Sequence, residues 1–153
     1  MNTFDSFFKN YVLICSILGW TMAQVIKFII TAIRERRFDV ERLFGAGGMP
    51  SGHSATVSAL VVSVSRKCGI ESVFFAFSLV LAAIVIYDAM GVRRAAGEQA
   101  KVINKIVRIS HEDEDERNDI DAKELKEKLG HTPLEVLGGI MLGIIIPLVI
   151  PIM

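Results

Sequence analysis

Gly47-Gly48-Met49-Pro50-Ser51-Gly52-His53-Ser54 separates a basic stretch from an apolar run, and its reading orders the rest of the chain. Two glycines and a proline do not suit a helix interior, whereas Ser51 is a good N-cap for a helix running through Ala55-Thr56-Val57-Ser58-Ala59-Leu60-Val61-Val62. A helix that starts there carries His53 in its first turn. The N–H groups of that turn lack intrahelical partners and hold the positive end of the helix dipole, so Pro50-Ser51-Gly52-His53 forms a cradle for an oxyanion such as phosphate. A histidine in the same turn can pass a proton to a leaving oxygen. The plainer reading of these four residues is a helix cap with an incidental histidine, and the other motifs decide between the two.

At 153 residues the chain is expected to form one domain, 1–153. Hydrophobic residues make up 52% of it and charged ones only 22%, and the apolar residues lie in long blocks without helical alternation, which is a membrane signature. Lys plus Arg equals Asp plus Glu at 17 each, so the net charge points to no partner and no nucleic-acid binding is expected. Cys15 and Cys68 lie in or beside apolar runs with no ligand spacing around them, and read as packed or lipid-facing thiols. No metal or other cofactor is expected. Asp5 precedes the first apolar run and no small-residue cleavage site follows it, so a removable signal peptide is not expected.

The expected fold is all-α, an integral membrane bundle of about four transmembrane helices, at about 11–33, 52–68, 72–89 and 133–152. Gln24 and Lys27 fall inside the first span, where a polar side chain faces a protein or water-filled cavity, or, for Lys27, snorkels to the edge. The loops 34–50 and 90–131 connect the spans on one side. Within the second loop, 101–110 has helical spacing, with Val102, Ile103, Ile106 and Val107 on one side. An acidic segment over 111–121 reads as solvated and mobile, and its carboxylates are a weak candidate for divalent-cation binding. Ala122 to Gly130 reads as a short amphipathic helix stopped by glycine. Thr132-Pro133 then opens the last span, with His131 just ahead of it and Glu135 one turn in, a pairing that suits a histidine held by a carboxylate. Gly138, Gly139 and Gly143 allow close approach of another helix.

With four spans, the two long loops and the start of the last helix share one face, and every suspect residue converges there. That face carries Arg34, Arg36, Arg37, Arg42, Arg93, Arg94, Lys101, Lys105, Arg108, Arg117, Lys123, Lys126 and Lys128, against Lys9, Arg66 and Lys67 on the other. The positive-inside rule therefore expects a multi-pass cell-membrane protein whose site faces the cytoplasm.

Lys27 and Arg34 with six residues between them, then Pro50-Ser51-Gly52-His53, then His131 with Glu135 four residues on, form an ordered set. The set resembles the type 2 phosphatidic acid phosphatase superfamily, which shares its site with vanadium-dependent haloperoxidases, and in particular its small divergent membrane branch. That superfamily's pattern is Lys-x6-Arg-Pro, Pro-Ser-Gly-His, and Ser-Arg-x5-His-x3-Asp. This chain has Glu35 in place of the first motif's proline and Glu135 in place of the last aspartate, and it lacks the Ser-Arg pair. Arg93, Arg94 or Lys126 is the candidate for the missing cation.

The resemblance implies a reduced version of that superfamily's fold and a metal-independent phosphatase acting on a membrane lipid phosphate or diphosphate, such as phosphatidylglycerol phosphate or a polyprenyl phosphate. It implies that His131 is the nucleophile forming a phosphohistidine, Glu135 its orienting partner and His53 the acid that protonates the leaving alkoxide. Lys27, Arg34, Arg93 or Arg94, Ser51 and the Gly52 N–H would bind the phosphate oxygens. Haloperoxidase activity is not expected, and vanadate should inhibit. The altered third motif motivates an alternative, a catalytically idle binder or transporter of lipid phosphates. Four short helices enclose little, so a homodimer is expected to complete the site.

Overall fold

The computed structural model describes residues 8–35, 48–112, 125 and 130–152, with backbone alone at 34, 35 and 110–112. Among the described residues five helices follow one another: α1 (Tyr11–Glu35), α2 (Gly52–Cys68), α3 (Val73–Met90), α4 (Val92–Glu112) and α5 (Pro133–Val149). Among the described residues there is no strand, and the fold is an all-α bundle.

Local chemistry sets most of the boundaries. The Ser51 side chain caps α2 by accepting from the Ser54 N–H at 3.4 Å, and Ser72 does the same for α3 from Phe75 at 3.2 Å. Gly69, at φ 82°, ends α2 in a backbone conformation that a residue with a Cβ rarely adopts. α5 opens on a complete capping box, in which the Thr132 hydroxyl accepts from the Glu135 N–H at 3.4 Å and the Glu135 carboxylate accepts from the Thr132 N–H at 3.1 Å.

α2 lies at the centre, packed against α1, α3 and α5. Its composition explains that position. Ala55, Ser58, Ala59 and Ser63 are small enough for neighbouring backbones to come close, and all are buried. A Cβ on Gly143 or Gly139 of α5 would run into the carbonyl of Ala55 or Ser51, and one on Gly19 of α1 would stand 3.0 Å from the Ala55 carbonyl oxygen. Two helices thus reach the same α2 carbonyl. Gly138, expected to join that contact, instead faces the side chain of Met49 and Pro50 in the loop before α2.

The outer surfaces are apolar. On α3, Phe74, Phe77, Val80 and Ile84 are all more exposed than buried, and only Ser78, Ala82 and Ala89 are buried. A helix that is apolar all round and packed on one side only needs a lipid surrounding. At the end of the bundle away from Ser51, the Arg66 guanidinium gathers polar groups. It donates to the Tyr11 hydroxyl at 2.6 Å, to the Ile150 carbonyl at 3.0 Å and to the Pro147 carbonyl, while Tyr11 itself donates to Pro147 at 2.7 Å. Four residues past Pro147 stands Pro151, which has no N–H to give, and Arg66 and Tyr11 supply the Pro147 carbonyl with donors instead.

The connection expected as a loop over 90–131 contains a long helix. α4 starts one residue past α3, at Val92, and continues through His111 and Glu112, which were expected in the acidic mobile segment. The remainder of that segment and the short helix expected after it, apart from Leu125 and Gly130, lie outside the described residues, as does the basic stretch after Glu35.

Candidate functional site

The starts of α2 and α5 and the end of α3 meet at one end of the bundle, and three backbone-level contacts hold them. The Ser51 N–H donates to the Glu135 carbonyl at 2.9 Å, which pins the α2 cap to the first turn of α5. The His131 N–H donates to the Ala89 carbonyl at 3.0 Å, which ties the residue ahead of α5 to the last turn of α3. Gly130, at φ 86°, lets the chain pass the backbone of Arg93 and Arg94, where a Cβ would come within 2.5 Å of the Arg94 nitrogen.

His131 is fixed on both sides by this frame. Its side chain is 5% exposed, and Nδ1 stands 3.1 Å from the Oε2 of Glu135. The same carboxylate oxygen receives the Thr132 N–H, so the capping box that starts α5 also aims the glutamate at the histidine. A neutral imidazole facing an ionised carboxylate, which only accepts, would carry its proton on Nδ1 and leave the Nε2 lone pair free. The His53 ring, in the first turn of α2, lies with its centroid 6.3 Å from that of His131 at 61° between planes.

The expected anion-binding groups divide into three sets. Ser51 and Gly52 are both buried at the α2 start, and the Ser51 hydroxyl is occupied as the helix cap and as acceptor from the Ser54 hydroxyl at 3.1 Å. Lys27 enters from α1, 6% exposed, with its stem against Gly48; a Cβ there would meet Cγ at 3.3 Å. Arg34 stands about two helical turns beyond Lys27, on the same side of α1, and its side chain lies outside the described residues. Arg93 and Arg94 open α4, and there the two differ. Arg93 Nε donates to Asp88 Oδ2 at 2.7 Å, while both Arg93 and Arg94 are exposed. Lys126, the other candidate for the third-motif cation, lies outside the described residues.

Two neighbours of the cradle were not assigned from sequence. Gln24, one turn before Lys27, approaches Gly52, with Nε2 3.3 Å from where a Cβ would sit, and Trp20 lies just beyond it. The Gln24 Oε1 is buried and has no hydrogen-bond partner among the described residues. A three-residue spacing from Lys27 on an apolar helix was the available signal for it. The Ala89 carbonyl, which anchors His131, leaves no signal in the sequence, because any residue supplies a carbonyl. Among the described residues no three His, Cys, Asp or Glu side chains gather as a metal-binding group.

A protein-family model described as the Divergent PAP2 family matches residues 8–146, which includes every helix start that builds this end of the bundle. The chain belongs to that family. It is also 43% identical over 148 residues to the uncharacterized membrane protein YuiD of Bacillus subtilis (strain 168), covering 92% of this chain and 94% of the relative. No solved structure matches it. The family relationship is phosphatase-like, and the relative's description together with the apolar helices marks the chain as a membrane protein.

Proposed function

We propose that the protein is a lipid phosphate phosphatase that works without a metal, through a phosphohistidine on His131. The observation that carries this reading is the His131–Glu135 contact at 3.1 Å, set 6.3 Å from His53 at the mouth of an N-terminal helix cradle. His131 Nε2 attacks the phosphorus in line while the phosphorus–alkoxide bond breaks, and His53 gives its proton to the departing oxygen. Water then attacks the phosphohistidine, with His53 taking the proton, and inorganic phosphate leaves. Charge spreads over the three equatorial oxygens, so fixed donors matter more than covalent help. Lys27 and Arg34 supply charge from α1, the α2 N–H groups supply dipoles, and Arg93, Arg94 or Lys126 takes the place of the family pattern's missing arginine.

The chain crosses the cell membrane four times, by α1, α2, α3 and α5, with this site at the cytoplasmic face, and a second copy closes its shallow side. The substrate class is a lipid phosphomonoester or diphosphate such as phosphatidylglycerol phosphate or a polyprenyl phosphate. The deciding experiment is phosphate release by detergent-purified protein with EDTA present, across phosphatidylglycerol phosphate, phosphatidic acid and undecaprenyl diphosphate. Release that disappears in His131→Ala is the expected result, and full turnover in that variant overturns the assigned role.

One contact favours a second reading. With Arg93 bound to Asp88, one of the candidates for the missing motif cation is occupied, which suits an idle binder or transporter of lipid phosphates. That reading predicts lipid-phosphate binding dependent on Lys27 and Arg34 and no phosphate release over time.

A further inference from the structure

The flank of α4 is not explained by the site. At about 100° per residue, its side chains fall into three sectors. The first is turned to the protein. Gly97 and Ala100 are buried and Asn104 half-buried, and Asn104 grips Leu125 at both backbone groups, Nδ2 donating to its carbonyl at 2.9 Å and Oδ1 accepting from its N–H at 3.0 Å. The second sector is basic and exposed, with Arg94, Lys101, Lys105 and Arg108. The third is apolar yet exposed. Val102 is 59% exposed and Ile103 46%, and Ile106 and Ile109 continue the same stripe.

A row of β-branched residues in water is costly, and the seat of α4 on the protein uses a different sector. The stripe therefore has an occupant of its own. The helix leaves α3 after a single residue, Gly91, so the stripe begins where the lipid-facing surface of α3 ends. Among the described residues it is bordered by Arg94, Lys101 and Lys105, with Glu98 paired to Lys101 at 3.0 Å. An apolar stripe flanked by Lys and Arg at a membrane edge is the chemistry of a helix lying in a leaflet that contains anionic lipid.

We propose that α4 lies in the plane of the membrane on the same side as the His131 end of the bundle, with Val102 and Ile103 among the acyl chains and Lys101 and Lys105 at anionic headgroups. A shallow depression of about 390 Å³ lined by Glu98, Gln99, Val102 and Ile103 gives an acyl segment a place to seat. Through Gly91, Ala89 and the His131 N–H, the docked helix is joined directly to the site, and it gathers anionic lipid beside it. The docking stands independently of catalysis; its use in supplying substrate rests on the phosphatase reading.

The test uses the full chain in vesicles of phosphatidylcholine and phosphatidylglycerol. Cys68→Ala removes the exposed thiol, Cys15 is buried, and an environment-sensitive fluorophore is placed at Val102→Cys or, for comparison, Lys105→Cys. The probe at 102 is expected to be quenched by lipids spin-labelled high on the acyl chain and shielded from aqueous iodide, with the reverse at 105. Spin-labelled phosphatidylglycerol is expected to quench the probe at 102 better than spin-labelled phosphatidylcholine, and Lys101→Gln with Lys105→Gln to reduce that preference at least about fivefold. Iodide quenching at 102 equal to that at 105 overturns the proposal, because α4 then stands in water. Protection at 102 from both quenchers also overturns it, because protein then covers the stripe. Lipid docking without phosphate release would overturn only the phosphatase reading.

Discussion

His131 owes its readiness to a helix cap. The Glu135 carboxylate that holds Nδ1 is the same group that closes the Thr132 capping box, so one side chain both starts α5 and selects the tautomer with a free Nε2. Glu135→Gln keeps the cap's reach but can present an N–H to Nδ1, and kcat is expected to fall by roughly 10²-fold or more with little change in the helical signal, read by single-turnover phosphate release and circular dichroism. In the proposed mechanism only a protonated His53 assists departure, so kcat/KM is expected to fall as pH rises, and His53→Ala should remove that fall while lowering the rate. At this scale the sequence was legible where a motif has a local reason. Ser51, Thr132 and Pro133 announce helix starts by capping chemistry alone, and His131 with Glu135 follows from one helical turn. Gln24 was visible only as a polar residue out of place. The Asp88–Arg93 pair comes from three-dimensional placement.

Among the elements, α2 is readable from composition and α4 is not. The small residues of α2 and the glycines of α1 and α5 are complementary, and filling that contact is expected to be costly. Gly143→Leu would force the α5 backbone off the Ala55 carbonyl, and a loss of about 1 to 3 kcal/mol is expected, read as a lower unfolding midpoint in detergent. Gly138→Ala is a contrast, since its Cβ would meet the flexible end of Met49, 3.2 Å away, and only a small change is expected. α4 was legible only over 101–110. Gly91 and Gly97 weaken the pattern at its beginning, and His111-Glu112 merge into an acidic run without a stop signal, so neither end is marked by propensity. Tertiary seating, through Gly97, Ala100 and Asn104, extends it beyond what the local pattern supports.

Over the whole molecule, the polar groups separate to opposite ends of an apolar bundle. Arg66 and Tyr11 close the end of α5 at one, while Lys27, His53, His131 and Arg93 collect at the other. Apolar blocks marked α1, α2, α3 and α5 but not the long α4, and the two best spans by length, Tyr11–Ile33 and the run from Val73, do not by themselves orient the chain. The proposed orientation rests on charge, since the site end holds α4 with its Arg94, Lys101, Lys105 and Arg108, and the positive-inside rule puts such an end on the cytoplasmic side. Cys68, exposed beside Gly69 at the opposite end, then provides a native reporter. In intact cells Cys68 is expected to react with a membrane-impermeant maleimide, whereas a cysteine at Lys105 should react only after the membrane is opened. The reverse pattern would put His131 outside the cell. Headgroups exposed on the outer leaflet would then be the substrates to try, and the basic sector of α4 would have to be explained by its phosphate chemistry and not by topology.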